Sequence, residues 1–377
     1  MKNIAIFFGG VSCEHDISVI TGLLARENLN KLNYRVFPIY IDNDGAWYLA
    51  PLNYTGIRFG AEFDPLNGFT RVLFIPGDQT LYEINKKKHK IIDIIDCAVL
   101  CTHGVNGEDG SLPGLLQLCN IPCTSGLFSA ACSMDKVLMK EMFKALKIKQ
   151  FAYTYFDKKE FKNNVDDVLK SSVRKLGYPI IIKPANLGSS IGISVCHNLN
   201  ELKFGIDAAF EYDNKVILEK AATDFIELNC SAVYSKNKIL TSCVEQPVSY
   251  KEFLNFDEKY AAGKNSGMQS CKRKLPADIS LEKSEEIKSL TRKIYRHFNC
   301  KGVIRVDYIL ADDTVYVNEI NTIPGSLAYY LWEYDKIPFK MLLDILIEEA
   351  IEDFENFKSC SFAFESDVLG KSFGVKK

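Results

Sequence analysis

Apolar positions fall into short β-branched runs alternating with stretches of helical spacing, and their order predicts the architecture. Ile4 to Phe8 reads as a buried strand running into Gly9-Gly10, after which the polar turn VSCEHD opens an amphipathic helix, ISVITGLLARENLNKL. A second strand follows from Tyr34 to Asp42. Strand, helix and strand at such short range start a parallel, doubly wound sheet. Asp96 to Thr102 is a further apolar strand ending at HGVNGEDGSLPG, and Ile121 to Ser125 a short one. Ligands in such sheets sit at the carboxyl ends of the strands, where the loops after Phe8 and Thr102 would lie together. Residues 43–90 are mixed and turn-rich, and no element is assigned there.

Past residue 125 the pattern changes. Phe128 to Ile148 carries apolar residues at helical spacing, FAYTYF from Phe151 is a strand, and 159–176 is a charged surface helix. Tyr178 to Ser194, YPIIIKPANLGSSIGIS, joins a buried strand to a Lys-Pro step and a loop of small residues; Ile193 to Cys196 returns, a helix spans about 199–212, and KVILEKA from Lys215 is another strand. The strands IELNCSAVYS and KILTSCVEQPV precede a long polar run, KEFLNFDEKYAAGKNSGMQSCKRK, whose length reads as a lid over a site. Ile279 to Phe298 is a helix, Val303 to Leu310 and Thr314 to Ile320 are strands joined by an Asp-Asp turn, and Pro338 to Phe357 is a closing helix. The expected division is a doubly wound domain at 1–124, a small central domain at 125–223, a third domain at 224–357 with its lid at 250–275, and a frayed tail at 358–377. The fold class is α/β, turning to α+β in the C-terminal part.

Composition narrows the partners. With 377 residues the chain needs two or three cores. Its 46 basic and 48 acidic residues leave a formal net charge of -2, which offers no footprint for nucleic acid or an anionic membrane and favours a small molecule. The 12 cysteines are scattered among apolar neighbours without a CxxC pair, so they read as reduced core residues of a cytoplasmic protein. The apolar run near Met1 is too short for a signal peptide or a membrane span.

Two stretches carry the chemistry. The loop after Lys183 has no large side chains, so its N–H groups can approach a polyphosphate while the lysine reaches a phosphate as a point charge. Gly-Ser turns close many strands, and the loop acquires meaning from KGVIRVDYILADDTVYVNEINTIPG, where Asp307, Glu319 and Asn321 are hard oxygen donors brought onto one face when the two strands pair. Arg305 shares the face of Asp307 and could steady an oxyanion. Glu14 with His15, and His103 with Glu108, stand in two glycine-loosened loops at one sheet edge, and Lys136 lies near the start of a helix. The backbone of KVILEKA suits the edge of an adenine, and Lys259 with Tyr260 lie on the lid.

Taken in order, GGVSCEHDIS, HGVNGEDGSLPG, SMDK, KPANLGSSIGIS, VILEK, FDEKY, IRVDYIL and VNEINTIPG resemble the D-alanine–D-alanine ligases of the ATP-grasp superfamily over residues 1 to 355. The resemblance implies that ATP is grasped between two domains with Mg2+, or Mn2+ in its place, that two D-alanines are the substrates, and that the chain is a homodimer. It makes Lys136 and Lys183 phosphate lysines, Glu219, Lys220 and Ala222 adenine contacts, Glu227 a ribose contact, and Asp307, Glu319 and Asn321 metal ligands. Glu14 would orient the first amino group through Ser189 and Tyr260, His103 would face the same substrate, Arg305 and the N–H of Gly325 would hold the oxyanion, and Lys259 would meet the acceptor. Pro113 departs from the family's usual glutamine, with a local packing effect. The larger departure is SLAYYLWE, which puts Tyr330 beside Leu331 where the family has a serine that helps bind the acceptor's carboxylate. An acceptor other than D-alanine, such as D-serine or D-lactate, is therefore the near alternative, with Lys259 and Tyr260 arguing against lactate. A catalytically silent nucleotide sensor is the distant one, and the intact lysines, metal ligands and Arg305 argue against it.

Overall fold

The computed structural model describes residues 1–52, 63–85, 88–248 and 273–361, with 366 and 368. The chain begins β1 (Lys2–Gly9), α1 (His15–Asn28) and β2 (Tyr34–Ile41), and then turns back on itself through β3 (Trp47–Leu49), β4 (Thr70–Leu73), β5 (Thr80–Glu83), β6 (Lys90–Ile94) and β7 (Cys97–Leu100). Helices α2 (Ser111–Leu118), α3 (Leu127–Met134) and α4 (Lys136–Ala145) lead into β8 (Tyr153–Asp157), α5 (Lys158–Asn163), α6 (Val165–Leu176), β9 (Ile180–Pro184), β10 (Ser194–Cys196), α7 (Leu199–Ala209) and β11 (Lys215–Lys220). The last part holds β12 (Phe225–Ser235), β13 (Lys238–Thr241), β14 (Gln246–Pro247), β15 (Arg273–Lys274), α8 (Leu281–His297), β16 (Ile304–Ala311), β17 (Thr314–Asn321), α9 (Tyr329–Tyr334) and α10 (Phe339–Lys358).

The first sheet runs β6-β5-β4-β3-β2-β1-β7. Only β2, β1 and β7 are parallel, and β3 to β6 extend the sheet antiparallel from residues to which the sequence reading assigned no element. Those strands are three to five residues long and half exposed, too short for a period-two pattern to stand out. The expected strand at Ile121 to Ser125 reduces to one parallel bridge between Ala98 and Cys123. The single helix expected at 128–148 is two, because Asp135 adopts an extended backbone and its carboxylate accepts from the N–H groups of Val137 and Leu138, capping α4. The helix expected at 159–176 likewise breaks at Asn164, whose φ of -140° is not helical.

The second sheet, β10-β9-β11-β8, and the third, β13-β12-β16-β17, are antiparallel, and β14 pairs with β15 in a short ribbon. Period two sorts their residues. Ile180 and Ile182 point into the core of the second sheet with Leu202 and Ile206 of α7, so Ile181 and Lys183 face the other way. Met139 and Phe143 of α4 bury in the core of the third sheet with Val306 and Val317. The first core is not confined to the first sheet: Ile4, Phe7 and Val99 share it with Leu331, Trp332, Leu342 and Leu346 of α9 and α10. Among the described residues no helix is long and apolar enough to cross a membrane. The eleven described cysteines are free, and burial pushes the thiols of Cys97 and Cys101 far above their ordinary range, which suits core residues.

Candidate active site

A cleft of about 310 Å³ opens between the second and third sheets, with the loops of the first sheet at one end. Its first wall follows from the alternation on β9 and β11. Lys183 and Glu219 stand on the same face of paired strands, where Ile217 is the register partner of Lys183 and Ile181 that of Glu219. The Glu219 carboxylate is 3% exposed and lies 3.2 Å from Lys183 Nζ and 3.1 Å from Nζ of Lys140, a residue that the sequence did not single out. Burial alone would raise the pKa of Glu219; its two ammonium neighbours outweigh that and hold it at about 2. Burial also pushes the Lys140 and Lys136 ammoniums below the usual lysine range, against the pull of Glu219 and Glu319. Lys136 opens α4, and its Nζ donates to the Leu187 carbonyl at 2.5 Å, tying the helix to the loop of small residues. Lys220, Ala222 and Glu227 line the same cleft.

The opposite wall is the β16–β17 pair. Asp307 faces Glu319 in register and Arg305 faces Asn321, with a bulge just after Asp307. Arg305 donates to both carboxylate oxygens of Asp307, from Nε at 2.6 Å and from Nη2 at 2.8 Å, and Asn321 Nδ2 donates to Asp307 Oδ2 at 3.0 Å. Burial would lower the pKa of Arg305, but Asp307 more than offsets it, so the guanidinium is held charged well above its ordinary range. Two carboxylates and an amide on adjacent strands are hard donors, and the set fits a divalent cation placed beside phosphate. Lys183 Nζ meets Asn318 Oδ1 of β17 at 3.4 Å, linking the two walls.

At the end near the first sheet, Glu14 reaches the cleft from the turn after β1, and the Ser189 hydroxyl donates to it. Two glycines make that approach possible. A Cβ at Gly104, whose φ is +71°, would come within 2.8 Å of Glu14 Oε2, and one at Gly188 within 3.1 Å of the same oxygen. Glu108 braces the surround, accepting from the N–H groups of Gly104 and Ile323, each at 3.0 Å. His103 stands behind the wall: its Nε2 lies 3.0 Å from Thr21 Oγ1, which also accepts from the N–H of Ser326 at 3.0 Å. Those bonds secure a loop in which Ser326, Leu327 and Ala328 hold φ of 53°, 53° and 49°, a left-handed run that costs non-glycine residues energy and persists only where its surroundings impose it. Gly325, Tyr330 and Leu331 are buried beside this loop rather than on the cleft surface. His15 is structural, its Nδ1 donating to the Gly10 carbonyl at 2.8 Å while Nε2 accepts from the Tyr40 hydroxyl at 3.1 Å. Lys259 and Tyr260, with the expected lid up to residue 272, lie outside the described residues.

Glu245 and Arg273, which line the cleft beside Tyr330, were not foreseen. The Tyr330 hydroxyl donates to Glu245 Oε2 at 3.2 Å, Asn229 Nδ2 donates to the same oxygen at 3.2 Å, and Arg273 Nη1 lies 3.0 Å from Glu245 Oε1 with its guanidinium 4.0 Å over the Tyr330 ring. Glu245 is the one acid of the stretch KILTSCVEQPV, which is the available signal; Arg273 is hidden in the basic run CKRK at the end of the expected lid.

Surplus cations on one wall, hard oxygens on the other, a carboxylate at the sheet edge and a fixed guanidinium can hold a nucleotide triphosphate against a carboxylic acid and neutralise charge as it is activated. That arrangement on this fold defines an ATP-dependent acid–amine ligase of the ATP-grasp type. The family models "D-ala D-ala ligase N-terminus" and "D-ala D-ala ligase C-terminus" match residues 3–126 and 142–348. D-alanine–D-alanine ligases from Thermosipho africanus and Clostridium novyi are each 35% identical, over 98% of this chain and 98% of the relative in the first case and 93% and 98% in the second. Among solved structures, the D-Ala:D-Ser ligase VanG from Enterococcus faecalis superposes with a TM-score of 0.79 at 28% identity, covering 93% of this chain and 99% of that one. The chain belongs to the D-alanine–D-alanine ligase family.

Proposed function

We propose that this protein joins two D-alanines into D-alanyl-D-alanine for peptidoglycan, splitting ATP to ADP and phosphate through an acyl phosphate. The observation that carries the reading is the single cleft in which Lys136 and Lys183 share space with Glu14, Arg305 and the Asp307, Glu319 and Asn321 set. Glu14, fixed by the Ser189 hydroxyl, takes the ammonium of the first D-alanine and directs its carboxylate to the γ-phosphate. Lys136 and Lys183 balance the phosphate charge during transfer, while Lys220, Ala222 and Glu227 receive the adenosine; Glu219, closed between two lysines, acts by positioning Lys183. Magnesium, or manganese in its place, held by Asp307, Glu319 and Asn321 would supply further neutralisation of the triphosphate. The second amine then attacks the acyl carbon, and Arg305, which lines the cleft where Gly325 does not, steadies the tetrahedral oxyanion before phosphate leaves. The companion assignments are a cytoplasmic location and a homodimer, on the family's precedent. A D-serine acceptor is the second reading, favoured by Tyr330 at the family's serine position and by the likeness to VanG. Phosphate release measured with D-alanine alone, then with D-alanine plus D-serine or D-lactate, tests the assignment: release with D-alanine alone is expected, and its absence would overturn the reading.

A further inference from the structure

We propose that Arg273, braced by Glu245 and Tyr330, is the residue that binds the free carboxylate of the acceptor amino acid. The inference rests on the ligase reading above and adds the group that selects its second substrate. The acceptor's amine must reach the acyl carbon beside Arg305, and in an α-amino acid the carboxyl carbon lies only about 2.5 Å from the amine nitrogen. The carboxylate therefore falls on the same stretch of wall. Two guanidiniums line it, Arg305 and Arg273. Arg305 has its Nε and Nη2 engaged with Asp307 at 2.6 and 2.8 Å, a geometry that directs it to the reacting centre.

Arg273 is built differently. Its side chain is 13% exposed, its plane is steadied at 4.0 Å over the Tyr330 ring, and it meets Glu245 through Nη1 at 3.0 Å. A guanidinium carries five N–H donors in a planar fork, a geometry that lets one arginine hold more than one carboxylate. Glu245 does not repel that carboxylate as an isolated charge would, because Asn229 and Tyr330 donate to it at 3.2 Å each while Arg273 neutralises it. The Tyr330 phenol, which in the family's pattern occupies the place of a carboxylate-binding hydroxyl, is spent on Glu245, and its ring becomes the platform for the cation. Acceptors are then chosen for a carboxylate next to the amine.

The test compares D-alanine with D-alaninamide as acceptor, with D-alanine as the donor in both cases. Wild-type enzyme should favour the acid by about 10- to 100-fold in kcat/KM, the range of one hydrogen-bonded charge. Arg273→Ala should bring the two acceptors within a few-fold of each other, Arg273→Lys should restore part of the preference, and Glu245→Gln should raise the acceptor KM with kcat little changed. An Arg273→Ala enzyme that keeps the full preference for the acid overturns the proposal, as does a loss that is equal for acid and amide. Thermal melting with and without ATP reports folding, and if the alanine variant does not fold, Arg273→Lys and Arg273→Gln carry the same comparison. Failure of the ligase reading shows separately, as no phosphate release by wild type with D-alanine. In that event calorimetric binding of D-alanine and D-alaninamide to wild type and variant decides the role of Arg273, equal binding of the two to wild type counting against it.

Discussion

The two ends of the cleft are both buried charge networks, and they are balanced differently. At the end formed by the second sheet one carboxylate, Glu219, serves two ammoniums, Lys140 and Lys183, with Lys136 close by. At the other end two guanidiniums, Arg273 and Arg305, meet two carboxylates, Glu245 and Asp307, one for one. In the first network burial disfavours the ammoniums of Lys136 and Lys140, a cost that a bound polyanion would offset. In the second each guanidinium already has a carboxylate beside it, Glu245 for Arg273 and Asp307 for Arg305.

Removing the shared anion should have the largest effect. Glu219→Gln leaves Lys140 and Lys183 buried without a counter-charge, and an uncompensated buried charge costs about 3 to 5 kcal/mol, readable as a lower urea midpoint. Lys183→Ala breaks the comparison the other way. Glu219 keeps Lys140, so stability should change little, while phosphate release should fall on the order of 10²- to 10³-fold. A variant releasing phosphate at the wild-type rate would remove Lys183 from the nucleotide site. Glu319→Gln and Asn321→Ala should each raise the magnesium concentration needed for half-maximal rate, and an unchanged requirement in both would place the cation elsewhere.

Acid titration sharpens the contrast. Glu219 is held at about 2 in the fold against 4.5 for an ordinary glutamate, so between those values the unfolded chain binds the extra proton. Its contribution is complete above about pH 4.5 and is lost as the pH falls toward 2. The wild-type denaturation midpoint should fall through this window more steeply than that of Glu219→Gln, and parallel curves would contradict the assignment. The smallest effect is expected for Tyr330→Phe, which deletes a neutral donor to Glu245 and leaves the platform under Arg273: a loss of about 0.5 to 1.5 kcal/mol, seen mainly in acceptor KM.

What was legible in the sequence was what repeats locally. Lys183, Arg305, Asp307, Glu319 and Asn321 could be placed because strand alternation fixes which side chains share a face. The charge partners could not. Lys140 sits on an amphipathic helix face where a lysine ordinarily meets water, and only the packing of α4 against the second sheet buries it beside Glu219. Glu245 and Arg273 are brought together by a two-residue ribbon, β14–β15, across 27 intervening residues of chain, too brief a pairing to leave a pattern. The division of the first sheet into parallel and antiparallel parts was hidden for the same reason, since β3 to β6 bury too little to show a period.

The shared core of the first sheet and the closing helices has a consequence for how the chain is made. Leu331, Trp332 and Leu342 complete a core begun by Ile4 and Phe7, and the N–H of Ser326 reaches back across 305 positions to Thr21. During synthesis the first sheet therefore emerges long before the residues that cover it, and its apolar face waits for nearly the whole chain to leave the ribosome. Contacts of such separation close slowly, leaving a half-made intermediate that invites chaperones to bind and proteases to cut. Ribosome-stalled chains ending before residue 325 should remain protease-sensitive in the first sheet, and those extended past residue 358 with enough linker to clear the exit tunnel should become protected.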